Sequence, residues 1–161
     1  MTKVELLNEL AAFTEETVKD IILPTKPQKG DTEQILRAAD VYKMRLPDGN
    51  SATKAVPYII HQIITGKDRQ NEGEYEVSVA TIRSIFCVFS ADEQEGSLML
   101  LNLMERLRIA LLRKGGVGGI FELDLSEGID YLIYPDETAP FFAGEMISSW
   151  YLPRVKREVI L

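Results

Sequence analysis

The stretch RKGGVGGIFELDL, residues 113–125, sets Lys114 directly before Gly115, Gly116, Gly118 and Gly119. A lysine beside clustered glycines is raw material for a phosphate cradle, in which backbone amides and an ammonium surround an anion. Such a cradle needs a strand, then the glycines, then a helix, so that phosphates meet free amides at the positive helix end. Here the order is inverted: the helical pattern over residues 97–114 comes first and the alternating IFELDL follows. An anion would face carbonyls and the negative end of the helix dipole. Ile120 and Phe121 also stand where a P-loop places lysine and serine or threonine. Arg113 and Lys114 are better explained as cations complementing a helix C-terminus, with Gly115 as its left-handed cap. The remaining glycines read as a mobile joint, either tolerated slack or a segment that orders on a partner.

His61 is the single histidine and Cys87 the single cysteine, so any nucleophile–histidine apparatus would have to centre on His61. In YIIHQII the strand period puts Ile59, His61 and Ile63 on one face and Tyr58, Ile60 and Gln62 on the other. We expect His61 to be a strand histidine satisfied by a neighbouring carbonyl. Cys87, inside SIFCVFS, reads as a small buried hydrophobe. Without more histidine or cysteine, a transition-metal site would draw most ligands from the carboxylates of ADEQEG (91–96) and YPDET (134–138). Neither run has the calcium-loop pattern, and both read as solvated turns. No nucleophile elbow, dinucleotide fingerprint or zinc-protease helix is present. These residues lead us to expect a non-enzyme with no cofactor and no metal.

The long helical run carries a different signal. At about 100° per residue, Met99, Leu100, Leu103, Met104, Leu107, Ala110 and Leu111 form one broad apolar face. Asn102, Glu105, Arg106, Arg108 and Arg113 occupy the opposite half. Leu98, Leu101, Ile109 and Leu112 are interleaved among those polar residues. A helix apolar nearly all round is either enclosed within its own fold or completes its burial against another subunit. On the second reading Leu98, Leu101, Ile109 and Leu112, rimmed by Glu105 and Arg108, form a self-association surface.

The elements that would position these groups follow from periodicity and punctuation. Thr2 and Glu5 have capping-box spacing, and a helix is expected over residues 2–22, ended by Pro24 and Pro27. PTKPQKGDT is a loop. DTEQILRAAD (31–40) suits a short helix capped by Asp31 or Thr32, VYKMRLP alternates like a strand, and PDGNSATKA is turn chemistry. VPYIIHQIIT (56–65) reads as a buried strand, GKDRQNEGEY as a polar turn, and residues 75–90 as a long strand interrupted by ADEQEG. IFELDL, IDYLIYP and the segment from residue 144 onward supply further strands. The pattern predicts an α+β fold, a mostly antiparallel β-sheet packed against one long central helix plus an N-terminal helix. It divides a single domain, 1–161, into a helix at 1–23, a loop-rich extension at 24–55 and an α+β core at 56–161. RVKRE (154–158) is a basic patch: a charged edge that discourages wrong pairing, or a complement to an acidic neighbour.

With 161 residues, 45% of them hydrophobic, and a formal net charge of −7, the chain can bury a core and lacks the footprint of a nucleic-acid binder. An acidic lumen would let DNA slide without gripping it, so charge alone does not separate ignoring DNA from conducting it. MTKVELLNEL has charges where a secretory h-region would be apolar, no apolar run reaches ~20 residues, and a lone cysteine suits a reducing compartment. We expect a soluble, cytosol-made protein with no membrane role.

Read in order, YEVSVATIRSIFCVFS, an acidic turn, GSLMLLNLMERLRIALLRKG, FELD and PFFAGEMISSWYLPRV resemble the tail-terminator (tail-completion) and related neck proteins of long-tailed phages and phage-like tail particles. The likeness covers residues 56–157 and includes Pro140, Phe141, Phe142, Gly144, Glu145 and Trp150. It implies a non-enzymatic virion protein at the head-proximal end of the tail, made in the host cytoplasm. Such a protein forms a six-fold homohexamer ring that caps the tail tube, stops its polymerisation and offers a head or collar attachment surface. Its partners would be its own copies, the tail tube protein, and a sheath or head-completion protein, with DNA at most passing through the lumen. The expected tube or neighbour contacts are Lys67, Asp68, Arg69 and Gln70 in one loop and Lys114, Gly115, Gly116, Val117, Gly118 and Gly119 in another. A head-completion or connector protein of the neck, and a non-viral α+β ligand- or protein-binding module, are the alternatives.

Overall fold

A computed structural model describes residues 1–49, 55–135 and 138–158. Part of the expected PDGNSATKA turn, the acids Asp136 and Glu137 of YPDET, and residues 159–161 lie outside the described residues.

The N-terminal cap forms as its spacing predicts. Glu5 N–H donates to Thr2 Oγ1 at 3.2 Å and Thr2 N–H to Glu5 Oε2 at 2.6 Å. Helix α1 then spans Lys3–Val18 and buries Leu6, Leu7, Leu10, Ala11, Thr14 and Val18. It stops before residue 22, and not because of proline. The chain turns at Lys19 and Asp20, Ile21 N–H donating to Val18 O at 3.0 Å, which returns Ile21 and Leu23 to the core.

Residues 24–55 are more than a loop-rich extension. Strands β1 (Leu23–Pro24) and β2 (Leu36–Arg37) form a small antiparallel pair, so the short helix that residues 31–40 suit does not form. Arg37 fastens this extended segment to residues 55–57. Its guanidinium donates to the carbonyls of Ala55, Val56 and Pro57 and pairs with Asp40 at 2.8 Å. Strand β3 (Asp40–Lys43) then runs parallel to β4 (Tyr58–Arg69), with Val41 opposite Ile59.

Strand β5 (Val77–Phe89) is the spine. It pairs antiparallel with β4 along one edge and with β9 (Phe141–Leu152) along the other. Helix α2 (Glu93–Lys114) connects this spine to three short strands: β6 (Gly116–Val117), β7 (Phe121–Leu123) and β8 (Ile129–Ile133). The seven-stranded sheet has the order β3-β4-β5-β9-β7-β6, with β8 also on β9. The far edge of β9 is thus shared end to end by β8, beside Gly144 to Ser148, and β7, beside Trp150 and Tyr151. The fold is α+β.

Both helices lie on one face. Leu6, Leu7 and Leu10 from α1 and Leu100, Leu103, Met104, Leu107 and Leu111 from α2 close over Ile59, Ile82, Phe86, Val88, Met146 and Trp150. Each fully buried side chain of this size is worth about 1.5–3 kcal/mol relative to exposure, so this layer dominates stability. On the other face a smaller cluster, Ala55, Val56, Tyr58, Ile60, Cys87 and Phe89, is buried where the chain approaches β4.

Candidate functional site

The groups with chemical potential are placed where they pack rather than react. His61 is fully buried. Thr14 Oγ1 donates to Leu10 O at 2.8 Å and lies 2.8 Å from His61 Nε2. A hydroxyl has one proton, so Thr14 accepts from Nε2–H, and Nδ1 accepts from the Ser84 hydroxyl at 2.7 Å. The ring is therefore neutral in its Nε2–H tautomer. Burial pushes its pKa down to about 3. Its partners are hydroxyls, not the expected carbonyl: the helix face of the sheet points His61 at α1 rather than at another strand. Cys87 is buried beside Tyr58, and burial pushes its thiol up to about 11, as suits a small hydrophobe.

The glycine segment is a cap followed by a hairpin. Gly115 adopts φ 76° and its N–H donates to Leu111 O, with Arg113 and Lys114 in the last turn of α2. Beyond it the chain forms a hairpin where the sequence suggests a joint. Gly116 and Val117 pair with Glu122 and Phe121, Gly118 and Gly119 turn the chain with φ 64° and 73°, and Gly118 packs against Glu9 of α1. Val117 is buried, which removes it from any outward contact surface. Lys67, Asp68 and Arg69 likewise fall within β4, not in a loop. The strand continues past Ile63 through a bulge before Thr65, so that Arg69 stands opposite Val77. Only Gln70, whose side chain donates to Glu74 O, begins the turn.

The acids of ADEQEG are not a turn either. Asp92 Oδ1 accepts from Gln94 N–H at 3.0 Å and Glu95 N–H at 3.1 Å, so α2 starts at Glu93 instead of residue 97. Gly96, a glycine that reads as a breaker, is interior to the helix because the Phe142 ring occupies the space of a Cβ. Among the described residues no three His, Cys, Asp or Glu side chains converge as metal ligands do. No described helix is long and apolar enough to cross a membrane. A surface groove of about 550 Å³ is lined by Tyr75, Glu76, Ile120, Glu122, Tyr151 and Arg154, among others.

What stands out is the outer side of α2. Leu100, Leu103, Met104, Leu107 and Leu111 are buried, whereas Leu98, Leu101, Ile109 and Leu112 are 52, 37, 43 and 41% exposed. Leu101, Glu105, Arg108 and Leu112 follow one another at helical i, i+4, i+7 and i+11 spacing, hence along one ridge. Within it Arg108 Nε and Nη2 donate to the two Glu105 oxygens at 2.9 and 2.7 Å. That forked hydrogen bond holds the Glu105 carboxyl below, and the Arg108 guanidinium above, its ordinary range. A bidentate pair within an apolar ridge satisfies its own charges and leaves the flanking leucines free to be covered.

No protein-family model matches the chain, and no curated protein matches its sequence. The site therefore rests on geometry. Tyr131 and Leu132 of β8 are also exposed, Tyr131 stands opposite Met146, which packs with α2 in the core, and Tyr131 contributes to raising the Arg108 guanidinium, so β8 borders the ridge. Sequence reasoning missed both residues. IDYLIYP reads as a strand, but only the pairing of β8 with β9 alone makes it an edge.

Proposed function

We propose that the chain is a structural subunit whose copies associate through the outer side of α2 into a ring, and that the ring caps a phage-type tail tube. It would terminate tube polymerisation and present a head or collar attachment surface at the head-proximal end of the tail. The observation that carries this reading is the ridge of Leu98, Leu101, Ile109 and Leu112, exposed around the satisfied Glu105–Arg108 pair. Exposed contiguous apolar surface with a polar rim is the mark of a protein–protein contact. The order of elements over residues 56–157 supports the tail assignment through the family resemblance. The net charge of −7 suits a lumen through which DNA passes without being held. His61 and Cys87, both buried, fit a subunit that acts by assembly and not by catalysis.

Particles made without this protein test the reading. Tails of uncontrolled length, lacking heads, are expected by electron microscopy, and normal length with normal head attachment would refute it. The groove beside Tyr75 and Tyr151 favours one second reading, a protein-binding module, which would remain monomeric and bind its partner there.

A further inference from the structure

Two features have no strand partner among the described residues. Strand β8 is hydrogen-bonded to β9 on one side only, and no described strand lies along its other edge. Tyr131, opposite Met146 of the buried face, looks toward the helix layer. Asp130 and Leu132 look to the reverse side, and Glu127 and Asp130 make the edge acidic. A strand added here would be roofed by the Leu101–Leu112 ridge of α2. The second feature is the segment after β9. Beyond Leu152 the chain pairs with no described strand, and Val155 is 76% exposed. In an extended conformation Val155 and Arg157 point to one side and Arg154 and Lys156 to the other.

We infer that residues 154–158 of one copy lie along the free edge of β8 in the next copy. Val155 would enter beneath the α2 ridge beside Tyr131, and Arg154 and Lys156 would face Asp130. Apolar side meets apolar side and basic meets acidic, which fixes the face of the added strand. The donor must be another molecule. Asp130 is opposite Ile147, and β9 carries the chain away from that point to Leu152. Beyond it Arg154 stacks over Tyr75 at 4.5 Å and Arg157 Nη2 donates to Gln70 at 3.4 Å, at the β4–β5 hairpin. A contact in which one end of a subunit gives and the other receives is head-to-tail, the kind that closes into rings. The inference rests on the self-association proposed above.

The test uses the full chain with Cys87, which is buried, left in place. Asp130→Cys and Lys156→Cys variants are mixed above the assembling concentration and oxidised. A disulfide-linked dimer that needs both variants is expected, and the double variant in one chain should give a ladder of higher multimers. Arg154→Glu with Lys156→Glu should weaken association at least tenfold, and Asp130→Lys should restore it in that background. If the unmodified protein assembles yet no mixed dimer forms, this inference fails and the ring reading survives. If the unmodified protein stays monomeric at every concentration, both fail.

Discussion

His61 shows how one buried residue ties stability to pH. Its ring, between the hydroxyls of Thr14 and Ser84, stays neutral with a pKa near 3. In the unfolded chain a histidine titrates at about 6.5. The folded value is the lower one, so this contribution is complete above pH ~6.5 and is lost as pH falls toward the folded pKa, where only the unfolded state takes up the proton. Between pH 6.5 and 5, above the carboxylate range, the unfolding free energy should fall by up to about 1.4 kcal/mol per pH unit. Urea denaturation across that window is the measurement. A His61→Gln variant, with nothing to titrate, should give a flat profile, and an equally steep one would show that another group is responsible. The strand period places His61 on the Ile59 face. That the face meets α1, and therefore a threonine hydroxyl, is a product of packing.

At the scale of elements, α2 and the β6–β7 hairpin are each set by a few local contacts. The Asp92 carboxylate satisfies two free amides where the sequence reads as a solvated acidic turn. Asp92→Ala should cost about 1 kcal/mol, seen as a lower denaturation midpoint at unchanged m-value. The hairpin depends on Gly116, where an added Cβ would come within 2.5 Å of the Phe121 carbonyl oxygen. That oxygen belongs to backbone and cannot swing aside. Gly116→Ala should therefore destabilise by about 1–3 kcal/mol, with amide exchange at Val117 and Phe121 rising first. Wild-type exchange in that variant would mean the hairpin is looser than its pairing implies. In the sequence these glycines resemble a joint because flexibility and tight turning draw on the same residue type. The pairing of Val117 with Phe121 distinguishes them, and that is a contact between residues, not a property of either.

For the whole molecule, the decisive question is what covers the outer side of α2. Ile109 is solvent-facing in the single chain, so Ile109→Glu should leave the thermal midpoint within a few degrees of wild type. If copies associate there, it should also lower the sedimentation coefficient at concentrations where the wild type assembles. An unchanged assembly would remove this ridge from the interface. The same ridge borders the open edge of β8, so one surface offers both apolar area and unpaired backbone, the two features that folded monomers ordinarily conceal.

The amino-acid order by itself determined the capped N-terminal helix, the core stripe of α2, its left-handed glycine cap and the long strand through Ile82 and Phe86. Each is a local matter of side-chain period, capping oxygen or backbone freedom, and needs no knowledge of neighbours. It also set apart Leu98, Leu101, Ile109 and Leu112 as surplus apolar residues. Tertiary structure alone decided that Asp40–Lys43 joins the sheet in parallel, that Lys67 to Arg69 extend a strand, and that Gly96 lies within a helix against Phe142. It alone left β8 with an edge that no described strand covers. Those outcomes depend on which strand lies beside which and on the space between layers, and such quantities arise only when distant parts of the chain meet.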